Sequence, residues 1–273
     1  MALDEPINSI SHREDINAMK NLFDISGKVA VITGGSRGIG EMIAQGFVEN
    51  GAKVYITARK AEACNATADR LSELGNCISL PYDLSTVEGV EGFAKEIAER
   101  EEKLDILVNN AGAAWGEPID DYSEDGWDKV FNINLKGPFF LTQKLLPLLR
   151  KAATYEEPAR IINTASINGI EPPILETYAY SSSKAGMIML TRHLAGRLAA
   201  DNILVNAIAP GPFPSNMMAA TLATMGDAIK ADNPRKRIGE PEDIAGVAIF
   251  LASRASAYTT GACVPCDGGA SQV

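Results

Sequence analysis

The chain has 273 residues, of which 46% are hydrophobic and 22% charged, and this ordinary globular usage excludes a disordered or fibrous protein. Its formal net charge of −10 argues against binding to nucleic acid or to an anionic membrane, because both need a basic surface. The first 20 residues are polar, without the apolar run of a signal peptide or membrane span. We interpret residues 1–23 as an N-terminal arm, mobile or in an oligomer contact, ahead of one catalytic domain at 24–273.

Short β-branched apolar runs alternate with longer amphipathic segments along the chain, as expected for strands joined by helices. The predicted strands are 28–33, 53–57, 77–80, 104–108, 160–164, 203–208 and 262–266. They are apolar without alternation, which is typical of parallel strands covered on both faces. Predicted crossover helices at 39–50 and 61–74 end before Gly51 and Gly75, where we expect left-handed backbone. The sequence therefore predicts a doubly wound α/β fold.

A glycine-rich turn follows the first predicted strand directly and leads into a helix, in the run Thr33-Gly34-Gly35-Ser36-Arg37-Gly38-Ile39-Gly40. In such a turn Gly34 permits the sharp bend, Gly38 lets the backbone approach a phosphate, and Gly40 packs the helix against the strand. The helix N-terminus beyond it favours a pyrophosphate. A glycine-rich turn alone is weak support, but the strand before it and the helix after it favour dinucleotide binding.

The end of the second strand indicates which nicotinamide cofactor is bound. Enzymes that use NAD place Asp or Glu there to bind the ribose hydroxyl, whereas this chain has Ala58-Arg59-Lys60 and no carboxylate. A 2′-phosphate fits better, held by the guanidinium groups of Arg37 and Arg59. The alternative is that both arginines are ordinary solvated side chains. We predict NADP(H).

Tyr180 and Lys184 are four residues apart at the start of a long helical segment, so both project from one face. A phenol is a poor acid at neutral pH, but an adjacent ammonium stabilises the phenolate and brings its pKa toward the working range. Ser166 follows the fifth strand, at the edge where open α/β sheets bind ligands. These three residues form a candidate site for proton transfer to a carbonyl oxygen.

The glycine turn at 33–40, Asn109-Asn110-Ala111-Gly112, Ser166 and the Tyr180/Lys184 pair, in this order and at these separations, resemble the short-chain dehydrogenase/reductase family over almost the whole chain. The resemblance implies a Rossmann fold with seven parallel strands in the order 3-2-1-4-5-6-7. It also implies an NADP(H)-dependent carbonyl reductase or alcohol dehydrogenase without a metal, in which Ser166 and Tyr180 bind the carbonyl oxygen and Tyr180 donates the proton.

The resemblance also implies roles for other residues. Asn134 would hold a water against Lys184 and complete a proton relay. Tyr180 and Lys184 would both contact the cofactor, and Lys184 would bind the nicotinamide ribose. The other implied cofactor contacts are Gly34, Ser36, Arg37, Gly38, Ile39, Gly40 and Arg59 around the turn; Asp83 and Leu84 near the adenine; Asn110, Ala111 and Gly112 at the adenosine ribose; and Pro210, Gly211 and Ser215 at the carboxamide.

The substrate site is expected in the loops that follow the strands, with a lid at about 212–237. Its predicted lining is apolar: Trp115, Ile167, Pro173, Ile174, Phe213, Met217 and Met218. The turn and the segment 210–215 most resemble 3-oxoacyl reductases, including rhamnolipid-type members, which implies a 3-oxoacyl thioester or a similar apolar ketone. The alternatives are a sugar-acid (gluconate-type) or other secondary-alcohol dehydrogenase and, from another class, a catalytically silent cofactor-binding regulator.

An acidic acyl carrier protein would need basic residues near the site, but Ala200-Asp201-Asn202 follows the catalytic helix. The basic residues Arg150, Lys151, Arg192 and Arg197 could compensate, or the acyl group could be carried on coenzyme A.

Two long predicted helices, 127–149 with an internal Pro147 and 178–200, carry more apolar surface than one sheet face covers. We therefore expect a homo-oligomer, with a tetramer favoured over a dimer by the resemblance.

Four cysteines are too few for a disulfide framework in a chain of this length, which favours a reducing, cytoplasmic setting. The spacing of Cys263 and Cys266 fits a redox or metal motif, but their apolar surroundings favour buried structural thiols. Only two histidines occur, so neither a histidine relay nor a zinc dehydrogenase is supported. His12 lies in the arm, and we interpret His193 as a helix-face residue.

Overall fold

A computed structural model describes residues 19–271. The first 18 residues of the predicted arm, including His12, lie outside this part of the chain. Within it, seven strands form one sheet: β1 Val29–Thr33, β2 Lys53–Thr57, β3 Asn76–Ser79, β4 Ile106–Asn109, β5 Ala159–Thr164, β6 Ile203–Pro210 and β7 Cys263–Cys266. Each differs from its predicted range by no more than two residues at either end.

The strands are all parallel and lie in the order β3-β2-β1-β4-β5-β6-β7, as predicted. The chain order reverses between β1 and β4, and the segments that leave these two strands diverge. This opens a crevice at the carboxyl edge of the sheet. Because every strand runs in the same direction, the segments after β1, β2, β4, β5 and β6 all meet at this edge.

Helices cover both faces of the sheet. They are α1 Gly38–Glu49, α2 Ala61–Ser72, α3 Val87–Arg100, α4 Glu124–Phe131, α5 Gly137–Ala152, α6 Tyr178–Leu198, α7 Ala219–Asp232 and α8 Pro241–Ala252. Alternate strand residues enter two separate apolar cores. Ala30 and Ile32 pack with α1 and α8 on one face, whereas Val29 and Val31 pack with α3, α5 and α6 on the other. The prediction of strands buried on both faces is confirmed for β1, β2, β4, β5 and β6, whereas the edge strands β3 and β7 are partly exposed.

The predicted helix at 127–149 is not one regular α-helix. Ser123 caps α4 by accepting a hydrogen bond from the Gly126 amide, and a π-helical turn, Asn132–Lys136, separates α4 from α5. Apolar periodicity continues across this turn, so the sequence pattern alone does not reveal it. The turn has a consequence for the site, because it directs Asn134 inward.

Only one of the two expected glycine helix ends is left-handed. Gly51 has φ +80°, whereas Gly75 is not among the residues with positive φ. At Gly75 the requirement is space, since a Cβ there would lie 2.9 Å from both a side-chain carbon and the carbonyl oxygen of Val48. The prediction of left-handed backbone at Gly75 was therefore wrong, and glycine is needed there because a side chain would not fit.

The predicted lid contains a helix, α7, that has no buried residue. This explains why the sequence shows no clear pattern there, since a helix without a buried face needs no apolar periodicity. The segment is tied at its base, where the Gly239 amide donates a hydrogen bond to the Pro212 carbonyl oxygen at 2.9 Å. Next to this bond, Phe213 is buried in the core.

Cys263 and Cys266 lie on β7 and contact different clusters. Cys263 packs against the small cluster around Ala165 and Ala207, and Cys266 packs against the core formed with α1 and α8. Burial raises the pKa of both thiols, that of Cys266 to about 11. These surroundings favour the structural interpretation of the Cys-x-x-Cys spacing. No helix within residues 19–271 has the length and apolar character needed to span a membrane.

Candidate active site

The glycine turn has the backbone conformation that its sequence predicts. Gly34 and Gly38 have φ +67° and +56°, a region that other residues adopt only with strain. A Cβ on Gly34 would lie 2.8 Å from the Cα of Ala111, and one on Gly40 would overlap with the Asn110 side chain. The turn therefore lies directly against the segment after β4, with its backbone open toward the crevice.

Asn110 and Thr33 bind these two segments together. The Asn110 side-chain amide donates to the Thr33 carbonyl oxygen at 2.9 Å, and the Thr33 hydroxyl oxygen accepts from the backbone amides of Asn110 and Ala111, both at 2.9 Å. Elsewhere on the turn, the Ser36 carbonyl oxygen accepts from Thr67, and Ile39 packs on the core. The turn is thus preformed. The Gly34 and Gly35 amides donate to the Thr57 carbonyl oxygen at 2.8 and 3.3 Å, so a phosphate would be bound by amides later in the turn.

Arg37 and Arg59 both lie exposed at the crevice end of the turn. Among the described residues neither guanidinium forms an ion pair, so each is available to an anionic ligand. Burial raises the pKa of the Asp83 carboxyl, but hydrogen bonds from Ser85 more than offset this, and the nearby charge of Arg59 lowers the pKa a little further. Leu84 is buried beside it. The guanidinium groups of Arg37 and Arg59 fit a nucleotide 2′-phosphate next to the adenine.

Tyr180, Lys184 and Ser166 meet at the carboxyl edge of β5. Ser166 lies close enough to Tyr180 to lower the pKa of its phenol, and the Lys184 ammonium lies 5.7 Å from the centre of the Tyr180 ring. Lys184 is anchored by a 2.7 Å hydrogen bond from its Nζ to the Thr164 carbonyl oxygen. Tyr178 is separate from this group, since its hydroxyl donates to Glu176 at 3.3 Å.

Burial controls the electrostatics of this group. It raises the pKa of Tyr180 above its usual value, although the Ser166 hydrogen bond lowers it, and it lowers the pKa of Lys184 to about 8. Lys184 was expected to lower the pKa of the Tyr180 phenol, and this lowering is not found in the protein without its cofactor. The physical reason is that Lys184 is itself desolvated and directs its ammonium to a carbonyl oxygen.

Asn134 lies in the π turn with 1% of its surface exposed. Its side-chain oxygen accepts from the Ala113 amide at 2.8 Å, and its amide nitrogen donates to the Ala113 carbonyl oxygen at 3.0 Å and to Ser183 at 2.9 Å. Both amide hydrogens are therefore used within the protein. Ser183, which the sequence did not single out, donates in turn to the Tyr180 carbonyl oxygen at 2.8 Å.

The remaining predicted cofactor residues lie around the same crevice. Gly112 approaches Asn134, since a Cβ on it would lie 3.1 Å from the Asn134 side-chain oxygen. Pro210 ends β6, and Gly211 packs against Asp267. Ser215 faces the glycine turn, because a Cβ on Gly38 would lie 3.2 Å from the Cβ of Ser215. The structure thus brings the segment after β6 to the phosphate-binding turn.

The predicted apolar lining is only partly placed at the crevice. Phe213 is 2% exposed and packs against Gly239, so it belongs to the core rather than to a pocket. The Trp115 ring packs against Gly126 and lies 4.2 Å from the Lys129 ammonium. The apolar side chains of Ile174 and Met217 are exposed. Apolar residue type alone could not separate these cases.

Three of the four basic residues offered as a docking site for a carrier protein do not border the crevice. Arg150 and Lys151 lie in the last turn of α5, and Arg197 lies in the last turn of α6. Both helices end before the strand that follows, at the amino edge of the sheet. Arg150 also pairs with Asp201 at 2.9 Å. These three residues therefore lie at the edge opposite the crevice, whereas Arg192 lies within α6.

Comparisons with known proteins agree with this geometry. The family model described as enoyl-(acyl carrier protein) reductase matches residues 34–271. A rhamnolipids biosynthesis 3-oxoacyl-[acyl-carrier-protein] reductase of Pseudomonas aeruginosa is 48% identical over 254 residues, which cover 92% of this chain and 99% of the relative. A 3-oxoacyl-[acyl-carrier-protein] reductase of Chlamydia pneumoniae is 38% identical over 248 residues, covering 89% and 96%.

Among solved structures, the Pseudomonas aeruginosa RhlG/NADP active-site complex is 47% identical, with a TM-score of 0.89 over 93% of this chain and 100% of that chain. The matches extend from the glycine turn through the Tyr180/Lys184 pair to the turn after β7. This chain belongs to the short-chain dehydrogenase/reductase family.

Proposed function

We propose that this chain is an NADP(H)-dependent reductase of a 3-oxoacyl thioester or a similar apolar ketone. The observation that carries the proposal is that Tyr180, with Ser166 near enough to affect its pKa, lies beside the buried Lys184 at the same sheet edge as a glycine turn. Within residues 19–271, neither Arg37 nor Arg59 next to this turn forms an ion pair. The 48% identity to a 3-oxoacyl-[acyl-carrier-protein] reductase supports the substrate class.

The chain's own residues would act at the carbonyl oxygen. Ser166 donates a hydrogen bond to this oxygen and orients the carbonyl group. Tyr180 transfers its phenolic proton to the same oxygen as negative charge develops there. Burial lowers the pKa of Lys184 to about 8. The positive charge of its ammonium group stabilises the phenolate that remains. Bound NADPH supplies the hydride to the carbonyl carbon.

Cofactor selection in this proposal rests on Arg37 and Arg59. Asn110, Ala111 and Gly112 border the adenosine ribose, and Pro210, Gly211 and Ser215 border the carboxamide. Asn134 fixes the Ala113 segment by both ends of its side chain. Because the Asn134 side chain already makes these hydrogen bonds within the protein, a water next to Lys184 would have to be held by another group.

The segment 212–237 is proposed as a lid over the substrate. Its helix α7 has no buried residue, and Met217 and Met225 are half exposed, so closure onto an acyl chain would bury apolar surface that is now in water.

We also propose a cytoplasmic homo-oligomer. An apolar groove runs across the π turn, α5 and α6, lined by Phe131, Leu135, Phe139, Phe140, Gly186 and Leu190.

The experiment that tests the reaction is Tyr180→Phe. We expect loss of NADPH oxidation by at least about a hundredfold, because the proton donor is removed. NADPH binding, followed by fluorescence titration, should stay within about twofold, because the glycine turn and the arginines are untouched. An active Tyr180→Phe variant would contradict the proposed mechanism.

The substrate class is tested with the wild-type enzyme. NADPH oxidation is measured with acetoacetyl thioesters on coenzyme A and on acyl carrier protein, with an apolar diketone and with 5-ketogluconate. The proposal expects the highest kcat/KM among the thioesters or the diketone. A preference for 5-ketogluconate would favour the sugar-acid dehydrogenase. Cofactor binding without turnover of any ketone would favour a silent regulator.

A further inference from the structure

A row of four buried polar side chains crosses the core on one face of the sheet, and the proposed chemistry does not use them. They are Thr142 on α5, Asn109 on β4, Asn163 on β5 and Thr191 on α6, with exposures of 2%, 3%, 1% and 1%. Polar groups are costly to bury unless they are hydrogen-bonded, so a row of four in an apolar core calls for a physical reason.

The four side chains form one continuous hydrogen-bonded row. The Asn109 amide nitrogen donates to Thr142 at 3.2 Å and to the Asn163 side-chain oxygen at 2.9 Å. The Asn163 amide nitrogen donates to the Thr191 hydroxyl oxygen at 2.9 Å, and Thr191 donates to the Met187 carbonyl oxygen at 2.8 Å. The row therefore joins α5, two adjacent strands and α6 by directional bonds.

The α6 end of the row lies close to the catalytic group. Thr191 follows Lys184 by seven residues, which is about two helical turns, so both project toward the sheet. Lys184 donates to the carbonyl oxygen of Thr164, the residue next to Asn163. Strand β5 thus holds α6 at two levels, once through the catalytic lysine and once through the Asn163–Thr191 bond.

Apolar contacts alone would fix the axial position and the rotation of α6 less strictly. Dispersion and burial are non-directional, and the buried side chains around Thr191 on α6 include Met187, Ile188 and Ala195. A slip of one residue would move Tyr180 by about 1.5 Å along the axis and rotate it by about 100°. The Asn163–Thr191 bond has one satisfactory distance and angle, so it favours a single register.

We propose that Asn163 and Thr191 are positioning residues that hold α6 at the register where Tyr180 meets Ser166. The inference rests on the function proposed above, because it takes Tyr180, Lys184 and Ser166 as the groups that act on substrate. Asn163 and Thr191 themselves lie beneath the site and act through the helix.

The test compares Thr191→Val, which keeps the side-chain shape and removes the hydroxyl, with Thr191→Ser, which keeps the hydroxyl. Thr191→Val should lower kcat about tenfold, because small misplacements of reacting groups are costly. The KM for NADPH should change less than about twofold, because the glycine turn lies on other elements. Thr191→Ser should keep kcat within about twofold of wild type.

Hydrogen exchange gives a second readout that does not need turnover. Thr191→Val should speed exchange of the backbone amides at the start of α6 and leave those of α1 unchanged. The matched control is Ser256→Ala, which removes another buried hydroxyl, bound to the Leu251 carbonyl oxygen at 3.0 Å and far from the crevice. If Thr191→Val does not fold, Thr191→Cys makes the same comparison, because a thiol is a weaker acceptor for the Asn163 amide.

The proposal would be overturned by a Thr191→Val enzyme with wild-type kcat and exchange. It would also fail if Thr191→Val and Ser256→Ala lowered kcat equally, or if Thr191→Ser lost as much activity as Thr191→Val. An inactive wild type or an active Tyr180→Phe variant would instead overturn the proposed function, and the exchange comparison would still decide whether the bond sets the position of α6.

Discussion

Two arginine side chains carry the proposed selection of NADPH over NADH. Neither Arg37 nor Arg59 forms an ion pair within the described residues, although Asp83 lies near Arg59, and the end of β2 offers no carboxylate for a ribose hydroxyl. Charge-assisted contacts to a phosphate are strong because the guanidinium fork matches its oxygens. Selection should therefore depend on these two cations, more than on the shape of the turn.

The Arg37→Ala/Arg59→Ala double variant should raise the KM for NADPH by roughly 10- to 100-fold and leave the KM for NADH within about twofold. Steady-state kinetics with both cofactors measures this change. Arg100→Ala is the matched control, since Arg100 pairs with Glu96 on the surface of α3, and it should change neither value. Equal losses with both cofactors would argue that the arginines support the fold and do not read the 2′-phosphate.

The residues that carry the chemistry were predictable because their types and spacings are unusual together. Tyr180 and Lys184 share a helix face, and Ser166 follows a buried strand. Ser183 was not predictable, because three serines occur in succession at 181–183 and only the structure shows which one meets Asn134. The anchor of Lys184 is a backbone carbonyl oxygen, which no side-chain pattern records.

At the scale of elements, the base of the proposed lid is held by an ion pair between its last residue and α8. Arg237 donates two hydrogen bonds to the Asp243 carboxylate, at 2.5 and 2.8 Å, and Asp243 also accepts from the Glu240 amide at the start of α8. The hydrogen bonds from Arg237 lower the pKa of Asp243 to about 2. The pair thus fixes the chain where the lid ends.

Asp243→Asn should lower the free energy of unfolding by about 1 kcal/mol at pH 7, since both side chains are about one-third exposed and solvent screens the pair. The carboxyl pKa is depressed in the folded state, so this contribution is present above about pH 4 and is lost as the pH falls toward 2. Urea unfolding at pH 7 and along this acid range checks both statements.

The control for this prediction is Asp201→Asn, which breaks the more exposed pair with Arg150 and should cost less. A difference between wild type and Asp243→Asn that stays constant between pH 4 and 2 would contradict the electrostatic explanation. It would point instead to the helix cap, which the asparagine side chain preserves only in part.

The elements themselves could be predicted wherever burial is periodic. All seven strands were identified because each contains a short apolar run, and the five inner strands are covered on both faces. The π turn was missed because Leu135 and Phe139 keep an apolar spacing across it. The close approach of Gly137 to the Leu84 carbonyl oxygen, which accompanies the turn, is a three-dimensional contact without a sequence pattern. Helix α7 was missed because it buries nothing.

At the scale of the whole molecule, the apolar groove across the π turn, α5 and α6 is a face that residues 19–271 leave uncovered. Phe139, which lines the groove, is 37% exposed, and most of the other lining side chains are apolar. A two-fold axis through such a face would place the same patch of two chains in contact. This contact would also cover α6, the helix that carries Tyr180 and Lys184.

Leu190→Asp should separate the proposed oligomer along this face, because a carboxylate would be buried without a partner in an apolar contact. Light scattering coupled to size-exclusion chromatography should show the particle mass fall by at least half. Leu74→Asp, a matched change at an exposed leucine beyond α2, should leave the mass unchanged. If Leu190→Asp keeps the wild-type mass, the groove is not the subunit contact. If the smaller particle also loses kcat and keeps its KM for NADPH, the contact helps to hold α6 in place, as the Asn163–Thr191 bond is proposed to do from a neighbouring face of the helix.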